Sequence, residues 1–203
     1  MESRKLIEQS IFEFTSHLAA KEPVPGGGGA AAMIGALAAA LTAMSGRYSE
    51  GKKAAAGHEA ELSHAIETAD RMRMQLLAQV DADAEAFAPL AAAWKNKADQ
   101  AALSEATLNA CLTPMSILQC CHTLLSSLET IRQYGSKMMQ SDVGCAASAC
   151  AAAQECAGMN LLVNSRELAD GRIMERQILD MLHVDLPRAR KIADDVLEEL
   201  KIK

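Results

Sequence analysis

Residues 23–37 read Pro23-Val24-Pro25-Gly26-Gly27-Gly28-Gly29-Ala30-Ala31-Ala32-Met33-Ile34-Gly35-Ala36-Leu37. The prolines stop whatever precedes them, and the alanines open an apolar helix that runs to about Ser45. Between them lie four glycines with no side chains at all. Glycine reaches positive φ without strain and lets another group approach the main chain, but it adds entropy to the unfolded state. The run therefore predicts a loop. Two readings of it stay open on these residues alone. One is a flexible linker. The other is a ligand loop, because the first N–H groups of a helix are unpaired and carry partial positive charge that suits an anion or a polar ligand edge. Val24 to Gly46 carries no charge and is about as long as a bilayer span. Glycine and alanine are weakly driven into lipid, so a buried core helix and no membrane are expected.

Outward from this stretch, every segment reads as helix, and no alternating strand pattern of useful length appears. Ser3 is placed to cap a first helix carrying Leu6, Ile7, Ile11, Phe14 and Leu18 at helical spacing. Gly46 and Gly51 bracket a break after the second helix. A third segment runs from Lys53 toward Trp94, with Pro89 kinking or ending it. A fourth covers Ala98 to Tyr134, interrupted at Thr113-Pro114 with a restart capped by Thr113, and Gly135-Ser136 ends it. Asp142 to Val163 is Ala- and Cys-rich and nearly uncharged, the second candidate for a buried helix. Two polar helices, Asp170–Leu182 and Pro187–Ile202, close the chain, with Asp185 as a cap. The expectation is all-α: a single-domain helical bundle over residues 1–203, with two buried Ala/Gly-rich helices.

Half of the 203 residues are hydrophobic, enough for one core, but only 3% are aromatic. Small side chains bury little area each, so such a bundle often needs a partner subunit. A net charge of −6 without a basic cluster argues against nucleic acid. Met1-Glu2-Ser3-Arg4-Lys5 opens no signal peptide, and a cytoplasmic location is expected. The six cysteines form no C-x-x-C pair, which predicts reduced thiols and no metal site.

Few polar residues interrupt the apolar segments. Asp81 and Glu85 share a helix face, and Asp83 points elsewhere. A carboxylate pushed toward the core has a raised pKa and serves as a general acid or base; the competing reading is a solvated face. Ser141-Asp142 reads as an ordinary helix start or as the rim of a pocket. Lys52-Lys53 suits an anionic ligand tail or plain surface. Asn160 and Asn164 lie one turn apart and either line a site or tie off backbone ends. His122 reads as a satisfied core or edge residue.

Taken together, these elements resemble a known family. Pro25 to Ala32 resembles the PGGGSVAA or PGGGGAAA loop of the formiminotransferase-cyclodeaminase C-terminal family. Gly51-Lys52-Lys53 is similar to its IGKKKY element, although Glu50 replaces the Ile and the third Lys and the Tyr are missing. Asp83-Ala84-Glu85-Ala86-Phe87 resembles its DAEAF element. Ser141-Asp142-Val143-Gly144, with Asn160 to Asn164, is similar to SDAGVA…ALNVxIN. The order and spacing hold across nearly the whole chain.

The resemblance implies an all-helical homodimer or higher oligomer with a folate cleft near the subunit boundary, and no cofactor beyond the tetrahydrofolate substrate. It implies acid–base or cation-stabilising roles for Asp83 and Asp142, with Glu85 a lesser candidate. Pro25, Gly26, Gly27, Gly28 and Gly29 would bind folate, Lys52 and Lys53 its glutamate carboxylates, and Ser141, Asn160 and Asn164 would line the site. The favoured activity is hydrolysis of 5,10-methenyltetrahydrofolate to 10-formyltetrahydrofolate, because Gly29 in place of Ser and the Cys120-Cys121 pair look like the free-standing cyclohydrolases. The alternative is formiminotetrahydrofolate cyclodeaminase, which releases ammonia. A third is a non-catalytic helical dimer or scaffold that kept the fold.

Overall fold

In a computed structural model of the protein, residues 5–201 are described. Among them are six α-helices and three short 3-10 turns, with no strand. Helix α1 is Ile11–Leu18 and α2 is Gly27–Arg47. Helices α3 and α4 are Glu59–Lys95 and Gln100–Tyr134. Helices α5 and α6 are Gln140–Ser165 and Gly171–Leu200. Helices α2, α3, α4 and α5 pack as a ring, and α6 lies along α5. Their shared core includes Leu62, Leu76, Leu118, Leu124, Leu128 and Leu161.

The two Ala/Gly-rich helices are buried as expected. On α2, Ala31, Ala32, Ala38 and Ala39 are wholly enclosed, and on α5 so are Ala146, Ala147, Ala153 and Ala157. Small residues let the axes approach closely. A methyl group at Gly35 would lie 3.1 Å from Leu76, one at Gly46 2.5 Å from Ile66, and one at Gly158 2.8 Å from Leu182. Helix α2 is long and apolar enough to cross a bilayer, but 56% of its apolar window is buried against the rest of the chain.

Several expectations change. The four glycines are not a loop: Gly26 is the N-cap, and Gly27, Gly28 and Gly29 form the first turn of α2. The expected first helix is broken into a 3-10 turn at Leu6–Glu8 and α1. Ser10 caps α1 through a capping box in which Glu13 N donates to Ser10 Oγ at 3.2 Å and Ser10 N donates to Glu13 Oε2 at 2.7 Å. Ser3, the expected cap, lies outside the described residues. Gly46 is still helical, and the break opens at Tyr48, with Gly51 and Gly57 at φ +68° and +84°. Lys53 belongs to a separate 3-10 turn, Lys53–Ala55, so α3 starts at Glu59. Met139, not Ser141, is the N-cap of α5, and Asp142 lies in its first turn.

Two prolines expected to end or interrupt helices do not, and a third expected to open one does not either. Pro89, Pro114 and Pro187 are all internal to α3, α4 and α6. Proline deprives the carbonyl four residues back of its donor. At Pro114 that carbonyl belongs to Ala110, and Asn164 Nδ2 of α5 donates to it at 3.3 Å. The helix therefore continues because a neighbouring helix repairs it. Likewise the two expected C-terminal helices are one. Asp185 caps nothing; it is 1% exposed in the middle of α6 and turns toward α4 and α5.

Candidate active site

The start of α2 is built around Asp83. Asp83 reaches across from α3, and its Oδ2 accepts the Gly29 N–H at 2.9 Å. That amide is one of the unpaired donors of a helix N-terminus, and the helix dipole favours a carboxylate there. The contact requires a bare backbone, since a Cβ at Gly28 would lie 2.0 Å from Asp83 Oδ1. Burial pushes the Asp83 carboxyl above the usual aspartate range, and the Gly29 N–H pulls it part of the way back. The result is a more basic carboxylate than a surface aspartate, the direction that suits a group accepting a proton.

Beside it is a cleft of about 230 Å³ lined by Pro23, Gly26, Gly27, Gly28, Asp83, Phe87, Ala110, Pro114, Asn160 and Asn164. Phe87, Pro114 and Ala110 give it apolar walls, and the two carboxamides supply polar groups. Asn160 Nδ2 donates to Cys156 O at 2.8 Å, which leaves Oδ1 free to accept from a ligand. Asn164 Nδ2 is committed to Ala110 O. Replacing Asn164 by Leu should cost about 1–3 kcal/mol of stability, because it orphans that carbonyl. Thermal unfolding measures it, and an unchanged melting temperature would remove the bracing role.

The residues expected to share one site divide into two groups. Gly26, Gly27, Gly28, Asp83, Asn160 and Asn164 come together, while buried Pro25 and Gly29 pack immediately behind. Glu85, two residues beyond Asp83, is exposed and outside the cleft lining. Asp81 instead accepts the Leu6 N–H at 2.6 Å. Ser141 and Asp142 lie at the other end of α5; eighteen residues separate Asp142 from Asn160, about 27 Å of helix. Lys52 and Lys53 are exposed beyond the far end of α2. The two distant pairs share one end of the bundle, because Ser136 N donates to Ser49 Oγ at 2.7 Å. Pro23, Phe87, Ala110 and Pro114 also line the cleft; Pro23 and Phe87 stand inside the quoted motifs without an assigned role, Pro114 is visible only as an expected interruption, and nothing in the sequence singles out Ala110.

A bare helix start receiving a carboxylate, beside a carboxamide in an apolar cleft, is an arrangement suited to acid–base work on a small molecule. Residues 10–180 match the formiminotransferase-cyclodeaminase family. The chain belongs to that family. It is 30% identical to a methenyltetrahydrofolate cyclohydrolase of Methylorubrum extorquens, over 96% of this chain and 97% of the relative. It is 29% identical to formimidoyltransferase-cyclodeaminase of Rattus norvegicus, over 85% of this chain but only 34% of that longer protein. The crystal structure of formiminotetrahydrofolate cyclodeaminase from Thermotoga maritima has the same fold, with a TM-score of 0.83 and 27% identity over 95% of this chain and 96% of that one.

Proposed function

We propose that this protein is a methenyltetrahydrofolate cyclohydrolase in which Asp83 is the proton-transfer group. The observation that carries the role of Asp83 is its half-buried carboxylate, more basic than a surface aspartate, held against the bare start of α2. The full-length similarity to a free-standing cyclohydrolase supports the reaction. Water attacks the amidinium carbon between N5 and N10 as Asp83 takes one of its protons. The new C–O bond neutralises the cation. The C–N5 bond then breaks, Asp83 returns its proton to N5, and the remaining hydroxyl proton leaves for solvent. The product is 10-formyltetrahydrofolate and one net proton. Asn160 Oδ1 is placed to accept from the substrate, and Phe87 and Pro114 offer apolar walls to its ring system. The protein acts in the cytoplasm and uses no cofactor besides the tetrahydrofolate substrate.

The site is completed by a second copy of the chain. A cleft of about 230 Å³ is smaller than the roughly 300–1,000 Å³ of ordinary ligand pockets, so it holds only part of a folate. Helices α2 and α5 carry exposed Leu37, Met159 and Val163, with exposed Cys145 about 21 Å along α5 from Met159. Self-association of an apolar face is normally two-fold. A two-fold axis perpendicular to these helices brings the partner's Lys52, Lys53, Ser141 and Asp142 to the Asp83 end. The partner's Asp142 then faces the cation, and its lysines face the glutamate carboxylates.

The test is to incubate the purified protein with 5,10-methenyltetrahydrofolate and follow loss of its absorbance. Enzyme-dependent loss is expected. The full-length likeness to the Thermotoga maritima cyclodeaminase favours a second reading, deamination of formiminotetrahydrofolate. Ammonia release without methenyltetrahydrofolate hydrolysis would select it. Activity on neither substrate, with no protection by folate against thermal unfolding, would leave the scaffold.

A further inference from the structure

A second cavity lies between α3 and α4, away from the Asp83 cleft. It is a groove of about 670 Å³, within the size range of small-molecule pockets. Its floor includes buried Ala65, Thr68 and Ser127. Arg71, on the same helix as Asp83 and twelve residues before it, lies about 18 Å from it along the axis.

The chemistry of the groove is donor-rich. His122 enters it with its side chain 55% exposed, while its Nδ1 is 2.9 Å from Oδ2 of the buried Asp185. Asp185 is held from two further directions, by Gln154 Nε2 at 3.2 Å and Arg188 Nη1 at 3.4 Å. Arg188 is itself gripped by both Glu129 oxygens at 2.9 Å. A carboxylate so enclosed is maintained only where several donors meet it. It fixes the imidazole by one nitrogen and leaves Nε2 for the groove. Across from His122, Arg71 Nη2 donates to Thr68 Oγ1 at 3.1 Å, and Arg71 has no carboxylate partner among the described residues. His64 stands one turn along from Thr68. The one carboxylate of the lining, Glu61, lies 3.5 Å from His58 Nδ1. In a chain of net charge −6, the groove gathers an arginine without a carboxylate partner, two imidazoles and several hydroxyls around a single lining carboxylate, Glu61.

We propose that the α3–α4 groove binds a small anionic ligand carrying phosphate or carboxylate groups, through Arg71, His64 and the Asp185-anchored His122. The guanidinium supplies paired donors suited to such oxyanions, and the imidazoles and hydroxyls complete the shell. This site is independent of the folate reading.

The test titrates the intact protein with inorganic phosphate and, separately, with citrate at constant pH, following histidine ring signals by NMR. The His64 and His122 signals should move saturably and those of His17 and His183 should stay put. The probe that saturates at lower concentration identifies phosphate or carboxylate as the preferred chemistry. Arg71→Met and His122→Asn should each weaken binding about tenfold or more, the loss expected for one charge-assisted hydrogen bond. Both side chains are exposed, and unchanged thermal melting checks that each variant is folded. Arg71→Met should leave methenyltetrahydrofolate turnover unaltered. Absence of saturation with both probes, or equal saturation in Arg71→Met, would overturn the proposal.

Discussion

Replacing Asp83 by Asn should lower methenyltetrahydrofolate turnover by roughly 10²–10⁴-fold, the usual contribution of a positioned acid–base group. The fold should survive, because an Asn oxygen still accepts the Gly29 N–H that Asp83 accepts at 2.9 Å. Stability should move in the opposite direction from activity. The folded-state pKa of Asp83 is raised by burial. Its contribution to stability is therefore full below the unfolded value and is lost as pH rises through the folded one. Above that folded value the protein bears the desolvation cost of the ionised carboxylate, so there Asp83→Asn should melt at the same temperature as the wild type or higher. In the wild type, kcat/KM should climb on the acid side through a pKa above the ordinary aspartate value, and the variant should lose that limb. Turnover within a few-fold of wild type would take Asp83 out of the mechanism.

Mixed dimers should give the second large effect. Asp83→Asn and Asp142→Asn are each expected to be inactive as homodimers. Unfolded together and refolded, half of the resulting dimers combine one chain of each kind. Each mixed dimer carries one doubly altered site and one intact site, made of Asp83 from one chain and Asp142 from the other. Activity should return to about a quarter of wild type by this statistical pairing in a two-fold dimer. Asp142 lies about 27 Å along α5 from Asn160, so no single chain brings both carboxylates to one substrate. A mixture no more active than its parents would show that the two carboxylates do not share a site across the interface.

The sequence made some elements plain and hid others, for physical reasons visible at particular residues. Helices α2 and α5 are legible because long uncharged Ala-rich runs have no other stable place than a core. The glycine run misleads because glycine is a poor helix former in isolation. Here Asp83 meets the amide of Gly29 and fills the space a side chain at Gly28 would need, and that partner is 54 residues away. Prolines 89, 114 and 187 look like helix ends for a similar reason: what repairs α4 at Pro114 is contributed by Asn164 on another helix. Asp185 has the spacing of a cap but the environment of a core charge. Of the site, Asp83, Asn160 and Asn164 could be singled out because polar residues are rare in those segments. That Lys52, Lys53, Ser141 and Asp142 lie at the opposite end was already implicit, since one long helix separates the glycine run from the lysines and another separates Asp142 from Asn160; the family resemblance, which assigned them all to one site, does not say that two chains supply them.

The pairing of Pro114 with Asn164 constrains how this chain can change over evolutionary time. Losing Asn164 while Pro114 remains strands a carbonyl, whereas losing Pro114 first restores the ordinary helical donor and frees Asn164 to drift. The two substitutions are therefore not interchangeable in order. One path between the same endpoints passes through a weakened protein and the other does not, a sign of epistasis written into a single hydrogen bond.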